Sequence, residues 1–437
     1  MNKKRVKEVS GSKGRREFLE IFGGGALALA APIASAQTTG RTLKIGYVSP
    51  QTGPLAGFGE VDSFVLSGIR QFLKGGIRVG TVVHPVEILV RDSQSSPNRA
   101  AEVASDLILG SNIDLMLVGS TPDNVNPVSD QCELSGVPCL STTCPWQPWF
   151  FGRGGNPKTG FKWTYHFFWG LEDIEALYPD IWAQIPTNKT VGFLMPNDGD
   201  GNAWSNRAHG LPPSLLAKGY KIVDPGRFQP GQADFTTEIL AYKKGGVQIV
   251  CGVVEPPDFK TFWTQALQQG FHPRAVTIGK ALAFPSSVNA LGSTADGLTQ
   301  EAWWTPTYPF SSSLTKQSAA QFSAAYEQGT GKEWNETLGY AHALFELGID
   351  VLKRTKDVSS KASIVAAIQS TNLDTIIGHV SWMPSKFTPV KNVCRTTLAG
   401  GQWVSARKYP YDLKVVANGE YPNIPIGAKM KAITYAA

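Results

Sequence analysis

Two short loops at the ends of apolar strands carry hydroxyl side chains. The first loop follows residues 115–118 and the second follows residues 137–140. Their hydroxyl residues are Ser120, Thr121, Ser141, Thr142 and Thr143. Ligands of open parallel sheets bind beyond the carboxyl ends of the strands, so both loops are predicted to line a ligand site.

The first of these loops also begins a helix. Thr121 suits the N-cap position and Pro122 suits the first helical position, where free backbone N–H groups face an anionic or carbonyl group. Asp123 follows in the first turn, and its carboxylate would repel an acidic ligand. Asp123 is therefore interpreted either as a partner of the helix dipole or as the acceptor for a cationic or amide N–H group.

Three loops in the second half of the chain follow apolar strands in the same way, at 196–204, 255–258 and 279–284. The candidate ligand residues in them are Asp198, Trp204, Glu255 and Lys280. Lys280 either pairs with a carboxylate of the ligand or lies solvated at the rim. The Asp-rich turn at 197–202 is not a calcium loop, because Ala203 and His209 stand where calcium loops need Gly and Glu.

Aromatic residues are concentrated between 145 and 169, beginning with Trp146. Aromatic faces beside a cleft suit a flat or hydrophobic ligand. The same residues could instead only pack the protein interior, and the sequence leaves both interpretations open.

Motifs of catalysis and metal binding are missing. The chain has no Gly-x-Ser-x-Gly, His-Glu-x-x-His or Gly-x-x-x-x-Gly-Lys-Ser/Thr motif, so we expect neither enzymatic activity nor a cofactor. Cys132 and Cys139 are the nearest pair for a disulfide among five cysteines. Together with Cys144 they lack the spacing and the histidine of a zinc site, so no metal is expected.

The amino terminus has the pattern of an export signal. Arg15-Arg16 precede an apolar run that ends at the small residues 34–36, which predicts the twin-arginine route and cleavage after Ala36. The signal holds seven basic and three acidic residues, so the remainder carries 34 basic and 32 acidic residues. This near-neutral balance argues against a nucleic-acid partner.

Strands and helices alternate along two domain-sized stretches that would position these loops. The first runs from the strand at 43–48 to the strand at 137–141, and the alternation restarts at residue 190. A helix is predicted over 201–218, interrupted near Pro212-Pro213, and residues 314–369 are strongly helical. Short apolar strands between helices predict an α/β fold with parallel sheets covered on both faces.

Motifs spread over residues 41–385 resemble one family in their order and spacing. They include Thr52-Gly53-Pro54, Gly136-Val137-Pro138, Asp234-Phe235, Gly339-Tyr340-Ala341 and Gly378-His379-Val380-Ser381-Trp382. Each motif alone is weak. Together they resemble the type I periplasmic solute-binding proteins, the Leu/Ile/Val-binding and amide-binding receptors of ABC transporters.

The resemblance implies two doubly wound parallel-sheet lobes joined by three crossover strands. Lobe 1 would comprise 41–165 and 305–376, and lobe 2 would comprise 172–298 and 383–437. The hinge crossings would fall near 166–171, 299–304 and 377–382. In the family, the first-lobe loops hold the polar head of the ligand, and Gln51 lies in one of these loops. An aromatic residue at the position of Phe58 contacts the apolar part of the ligand in the family.

The resemblance further implies a monomeric periplasmic receptor that binds a small organic molecule and delivers it to membrane permease subunits. Branched-chain amino acids, amides and aromatic or branched carboxylates are the ligand classes. Family members that bind amino acids place an acid after the last strand of the second unit. This chain has Lys280 there, and Glu255 is the nearest acid for an ammonium group. A sensory ligand-binding protein and an envelope hydrolase remain the alternatives.

Overall fold

The computed structural model describes residues 38–435 of the 437-residue chain. The expected export signal at 1–36 lies outside the described residues. Within residues 38–435, no helix has the length and apolar content needed to cross a membrane.

Six parallel strands form the first sheet. They are β1 (Leu43–Ser49), β4 (Val86–Asp92), β5 (Leu115–Gly119), β6 (Cys139–Thr142), β7 (Thr164–Phe167) and β16 (Val393–Cys394). Their spatial order is β4-β1-β5-β6-β7-β16. Every residue of β6 and β7 is buried, as expected for strands covered on both faces.

The second sheet has eight strands. They are β8 (Thr190–Pro196), β9 (Lys221–Val223), β10 (Arg227–Phe228), β11 (Ile249–Val254), β12 (Ala275–Lys280), β13 (Thr299–Ala302), β17 (Ala399–Ser405) and β18 (Tyr411–Ala417). Strands β8 to β13 are parallel, whereas β17 runs antiparallel to both β13 and β18. Two hairpins stand apart, formed by β2 (Ile77–Val79) with β3 (Val82–His84) and by β14 (Asn372–Thr375) with β15 (Gly378–Ser381). The predicted α/β fold with parallel sheets is confirmed.

Thirteen α-helices connect and cover the strands of the described region. They are α1 (Asp62–Phe72), α2 (Pro97–Ser105), α3 (Pro122–Ser135), α4 (Trp146–Phe150), α5 (Leu171–Trp182), α6 (Gly199–Trp204), α7 (Leu211–Ala217), α8 (Thr236–Gly245), α9 (Pro256–Gln268), α10 (Pro285–Asn289), α11 (Ala319–Thr330), α12 (Thr337–Arg354) and α13 (Lys361–Gln369). Helix α12 is buried over most of its length and packs against β5 and β6. The predicted helical character of 314–369 is confirmed by α11, α12 and α13.

The helix predicted over 201–218 is divided into α6 and α7. The chain leaves α6 at Trp204 and begins α7 at Leu211. Pro212-Pro213 therefore occupy the first turn of α7 and do not interrupt a helix. Proline is well tolerated there because the first backbone N–H groups of a helix have no partner within it.

The chain passes between the two sheets three times. The first passage follows β7 and the second leaves β13, close to the expected crossings at 166–171 and 299–304. The expected crossing at 377–382 instead falls mostly in hairpin β14–β15, and the chain passes from β16 to β17 at 395–398. Asn392 explains the difference, because its side chain donates to the carbonyls of Phe161 and Thr164 and holds β16 on the first sheet. The lobe boundaries and their hinge role stay predictions.

All five cysteines are buried free thiols, so Cys132 and Cys139 do not form a disulfide in this structure. Cys132 lies on α3 and Cys139 begins β6. Burial, with the neighbouring thiol of Cys139, raises the pKa of Cys132. A raised pKa disfavours the thiolate that oxidation requires.

Candidate functional site

A small cavity lies where the carboxyl ends of strands from both sheets meet. Its volume is about 20 Å³, little more than the space of one water molecule. The first sheet contributes the residues after β5, β6 and β7, and the second contributes the ends of β11, β12 and β13. The lining residues are Phe58, Thr121, Thr143, Pro145, Phe168, Trp169, Asp200, Trp204, Val253, Lys280, Glu301 and Trp303.

Aromatic rings form most of the cavity wall. Trp169 meets Trp204 edge to face, with ring centroids 6.2 Å apart. Phe168 contacts Trp303 at 5.3 Å. Phe58, on the turn after β1, packs edge to face on Phe284 of the second sheet's loops at 5.0 Å. Phe58 and Trp204, both predicted site residues, thus line the same cavity.

The aromatic segment at 145–169 divides between two roles. Phe168 and Trp169 lie in the cavity wall. Trp146 instead donates its indole N–H to Glu172, 2.9 Å away, and is not a lining residue. Trp149 is fully buried and stacks on His166 with centroids 4.8 Å apart. The packing interpretation applies to Trp146 and Trp149, and ligand contact stays a prediction for Phe168 and Trp169.

Of the predicted hydroxyl residues, Thr121 lines the cavity and has a side-chain oxygen without a hydrogen-bond partner in the described part of the chain. It is 2% exposed, and its Oγ1 has no protein partner among the described residues. Thr121 is the N-cap of α3, yet its side chain makes no capping hydrogen bond. Thr143 also lines the cavity, but its hydroxyl donates to the carbonyl of Thr142 at 2.8 Å. Ser120 is fully buried beside them and does not line the cavity.

The hydroxyls of Ser141 and Thr142 are engaged inside the first sheet. Ser141 Oγ lies 2.9 Å from His166 Nδ1 and 3.2 Å from the carbonyl oxygen of Tyr165. Thr142 Oγ1 donates to the carbonyl oxygen of Phe167 at 2.6 Å. The structure thus assigns these hydroxyls to the sheet and does not bring them into the cavity. Side-chain direction along a strand alternates, and a loop assignment from sequence could not resolve it.

Three other predicted residues are not among the lining residues of the cavity. Gln51 is exposed, and its backbone N–H donates to Asp92 Oδ1 at 2.9 Å. Glu255 is the N-cap of α9, and burial raises its pKa. Asp123 lies in the first turn of α3 and receives a long hydrogen bond of 3.5 Å from the backbone N–H of Gly199. Burial and the charge of Asp198 raise the pKa of Asp123.

Lys280 forms a buried ion cluster with two aspartates of the second sheet's loops. Its Nζ lies 2.8 Å from Asp198 Oδ2 and 2.9 Å from Asp200 Oδ2. Burial alone would lower the pKa of Lys280, but the two carboxylates outweigh it and hold the pKa above its usual value. Burial raises the pKa of Asp200 to about 7 despite the opposing charge of Lys280. The ammonium group is thus neutralised within the protein, neither solvated nor free for a ligand carboxylate.

Glu301 is a cavity residue that the sequence analysis missed. It lies on β13 and is 3% exposed, and its Oε2 accepts a hydrogen bond from the Tyr178 hydroxyl at 2.7 Å. Burial raises its pKa to about 7. The sequence did contain a signal for Glu301, which is an acid in an apolar segment directly before Trp303-Trp304. Acids are rare in strands covered on both faces, so such a residue is a candidate for a functional role.

Glu301→Gln is expected to flatten the dependence of stability on pH. Between pH 5 and 6.5 the folded state keeps a proton on Glu301, whereas an unfolded glutamate has lost it. The stability that this proton contributes is present at low pH and is lost as pH rises through about 7. Denaturant titrations at several pH values should show that the free energy of unfolding of the wild type falls with rising pH more steeply than that of Glu301→Gln. The difference between the two slopes should reach up to about 1.4 kcal/mol per pH unit. If the free energy of unfolding depended on pH equally in the two proteins, Glu301 would not have the raised pKa.

A larger cleft of about 430 Å³ lies elsewhere, between α11 and β18. Its charged side chains are largely paired with one another, as in Lys408–Glu327 at 2.6 Å and Lys414–Asp412 at 2.5 Å. None of its lining residues comes from the strand ends of the first sheet, whereas the smaller cavity is lined by strand ends of both sheets, where open parallel sheets bind ligands. The smaller cavity is therefore the better candidate site.

Comparison with known proteins identifies the family of the chain. A family model described as periplasmic binding protein matches residues 42–402. A leucine-, isoleucine-, valine-, threonine- and alanine-binding protein of Pseudomonas aeruginosa is 24% identical over 264 residues, which is 60% of this chain and 66% of the relative, just under two thirds of its length.

Solved structures share the fold at lower identity. One is a branched-chain amino acid transporter substrate-binding protein of Streptococcus pneumoniae in complex with isoleucine, 16% identical, with a TM-score of 0.66 over 90% of this chain and 100% of that one. Another is an ABC transporter solute-binding protein of Rhodopseudomonas palustris in complex with p-hydroxybenzoic acid, 17% identical, with a TM-score of 0.66 over 87% of this chain and 98% of that one. Because the family model spans most of its length, the chain belongs to the periplasmic binding protein family.

Proposed function

We propose that the protein is the solute-binding receptor of an ABC-type uptake transporter and holds a small organic ligand between its two lobes. The observation that carries the proposal is a cavity whose walls come from the strand ends of both sheets. Thr121 and Phe58 stand on one side, and Asp200 and Lys280 stand on the other. A ligand that contacts both sides stabilises the closed arrangement, which is what a receptor of this kind requires.

Binding requires the two lobes to separate and close again. The cavity of about 20 Å³ is far below the ~300 Å³ of sites that enclose small organic molecules. Entry of a ligand therefore needs movement at the passages between the sheets. Phe58–Phe284 and Asp123–Gly199 are the contacts that must open.

The aromatic walls and the relatives together indicate the size and kind of ligand. Isoleucine and p-hydroxybenzoic acid are the ligands in two related structures. We place the ligand of this chain in the same range, as a small organic molecule with an apolar part against Trp169, Trp204 and Trp303. Membrane permease subunits are its proposed partners. The twin-arginine pattern at Arg15-Arg16 supports export to the periplasm.

We propose binding without chemical turnover. The Ser141–His166 pair is the arrangement near the site that most resembles a nucleophile with its base. His166 is fully buried, its Nε2 lies 2.8 Å from the carbonyl oxygen of Cys144, and burial lowers its pKa to about 3. A group held neutral inside the sheet, away from the cavity, is unsuited to abstract a proton from Ser141 for attack on a ligand.

The test is a ligand screen combined with scattering and a variant of Thr121. A compound that raises the melting temperature should also contract the particle in solution scattering and be recovered unchanged by NMR. Thr121→Val should weaken its binding about fivefold, because the variant lacks the hydroxyl that faces the cavity. Thr264→Val, which alters an exposed hydroxyl on α9, is the matched control. A ligand that binds without contraction, or is converted, would overturn the proposal.

A further inference from the structure

Four polar atoms of the cavity residues have no protein partner among the described residues. They are Thr121 Oγ1, Trp169 Nε1, Trp204 Nε1 and Asp200 Oδ1. Their residues are at most 2% exposed, and all four line the cavity. Buried polar groups are normally hydrogen-bonded to protein, water or a ligand, so these four atoms are the ones free to pair with the groups of a bound ligand.

The unpaired atoms specify different hydrogen-bonding partners. An indole N–H can only donate, so Trp169 and Trp204 require an acceptor such as an oxygen. A carboxylate oxygen can only accept, so Asp200 Oδ1 requires a donor. Thr121 Oγ1 can do either. The complementary ligand therefore presents an acceptor to Trp169 and Trp204 and a donor to Asp200.

The charges around the cavity are predominantly negative. Lys280 is the cation among the lining residues, and Asp198 and Asp200 already pair with it. Glu301 adds a third acid, whose partner is the neutral hydroxyl of Tyr178 and whose pKa of about 7 leaves it partly ionised at neutral pH. An anionic ligand would face this excess of carboxylates, whereas a cation would offset it.

Two further features favour a positive charge on the ligand. The faces of Trp169, Trp204 and Trp303 attract cations through the negative potential of their π-systems. The N-terminus of α3 would attract an anion, but Pro122 has no N–H and the carboxylate of Asp123 lies in that first turn. The helix N-terminus beside the cavity, which would otherwise suit an acidic ligand, thus already carries the carboxylate of Asp123.

We propose that the ligand is a net cation, a small protonated amine that also carries a neutral oxygen acceptor such as an amide carbonyl. Its ammonium group faces Asp200 and the tryptophan rings, and its oxygen accepts from the indole N–H groups of Trp169 and Trp204. This inference rests on the proposed receptor function and names the ligand class of the same site. It separates the chain from relatives that hold an acid such as p-hydroxybenzoic acid.

The test uses compounds that share a carbon skeleton and differ in charge. The panel comprises leucinamide, leucine, 4-methylpentanoate and 4-methylpentanamide, with the four matching compounds of the phenylalanine skeleton. Calorimetry at pH 7 should show the amino amide of at least one skeleton binding tenfold or more tighter than the corresponding amino acid and acid. An acid that binds as tightly as its amino amide would overturn the inference.

Two variants identify the groups responsible. Asp200→Asn should weaken the amino amide at least tenfold and the neutral amide less than threefold, whereas Asp180→Asn, at an exposed position of α5, should change neither. Trp204→Phe keeps a ring, removes the N–H, and should weaken the amino amide and the neutral amide alike. A preference for the cation that survives Asp200→Asn would contradict the assignment of Asp200.

Failure of the charge inference and failure of the receptor function have different signatures. If an acid of the panel binds and contracts the particle in scattering, the receptor function stands and the charge inference is overturned. If no member binds, the proposed ligand class is overturned, and contraction with a solute of another class would still support the receptor. Binding of an amino amide without contraction would support the charge inference and count against the receptor.

Discussion

Lys280→Met is expected to lower the free energy of unfolding by about 3–5 kcal/mol, because removing one partner of a buried ion pair leaves the other charge uncompensated. Lys280 is 7% exposed and holds both Asp198 and Asp200. The loss should be smaller at pH 6 than at pH 8, since Asp200, whose pKa is raised to about 7, can then take up a proton. Chemical denaturation at both pH values measures the effect.

The controls for this prediction distinguish a buried from an exposed ion pair. Lys332 pairs with Glu60, and its side chain is 57% exposed, so Lys332→Met should cause a much smaller loss. Adding Asp200→Asn to Lys280→Met should restore part of the stability, because one of the uncompensated carboxylates is then removed. Equal losses for Lys280→Met and Lys332→Met would show that the buried cluster does not stabilise the fold.

Gly57→Ala is expected to weaken ligand binding about thirtyfold, equivalent to about 2 kcal/mol, by preventing full closure. A Cβ at Gly57 would lie 2.7 Å from the ring of Phe284, which belongs to the second sheet's loops and is fully buried. Such a contact forces the two sides of the cavity apart. Calorimetry with a ligand found by screening gives the affinity, and scattering should show a less contracted liganded particle.

Gly68→Ala is the matched control for Gly57→Ala. Gly68 lies on α1, where an added Cβ meets no atom within 4 Å, so affinity should not change. Alanine in the helix should stabilise the fold slightly, by up to about 1 kcal/mol. If Gly57→Ala bound ligand as tightly as Gly68→Ala, the closed contact between Phe58 and Phe284 would not be needed for binding.

Local patterns were enough to predict most of the framework. Short apolar runs predicted the strand at 115–118 and the restart of the alternation at residue 190, where β8 begins, because strands buried on both faces lack polar positions. Pro122 after Thr121 predicted the start of α3 where the structure has it. The rule that ligands bind at strand ends then predicted Thr121, Trp204 and Lys280 as site residues, the family resemblance added Phe58, and the structure brings these four together.

The sequence by itself thus determined the α/β framework and the loops that surround the cavity, because apolar periodicity and helix caps are properties of neighbouring residues. Tertiary structure alone decided which side chains are free to bind. Asp198 and Lys280 are 82 positions apart, yet the ion pair between them removes Lys280 as a ligand partner. The Ser141 hydroxyl is likewise engaged by a hydrogen bond with His166, and Glu301 of β13 lines the cavity. Hydrogen bonds and burial depend on groups that only folding brings into contact. A local sequence pattern therefore does not predict which side chains become paired or buried.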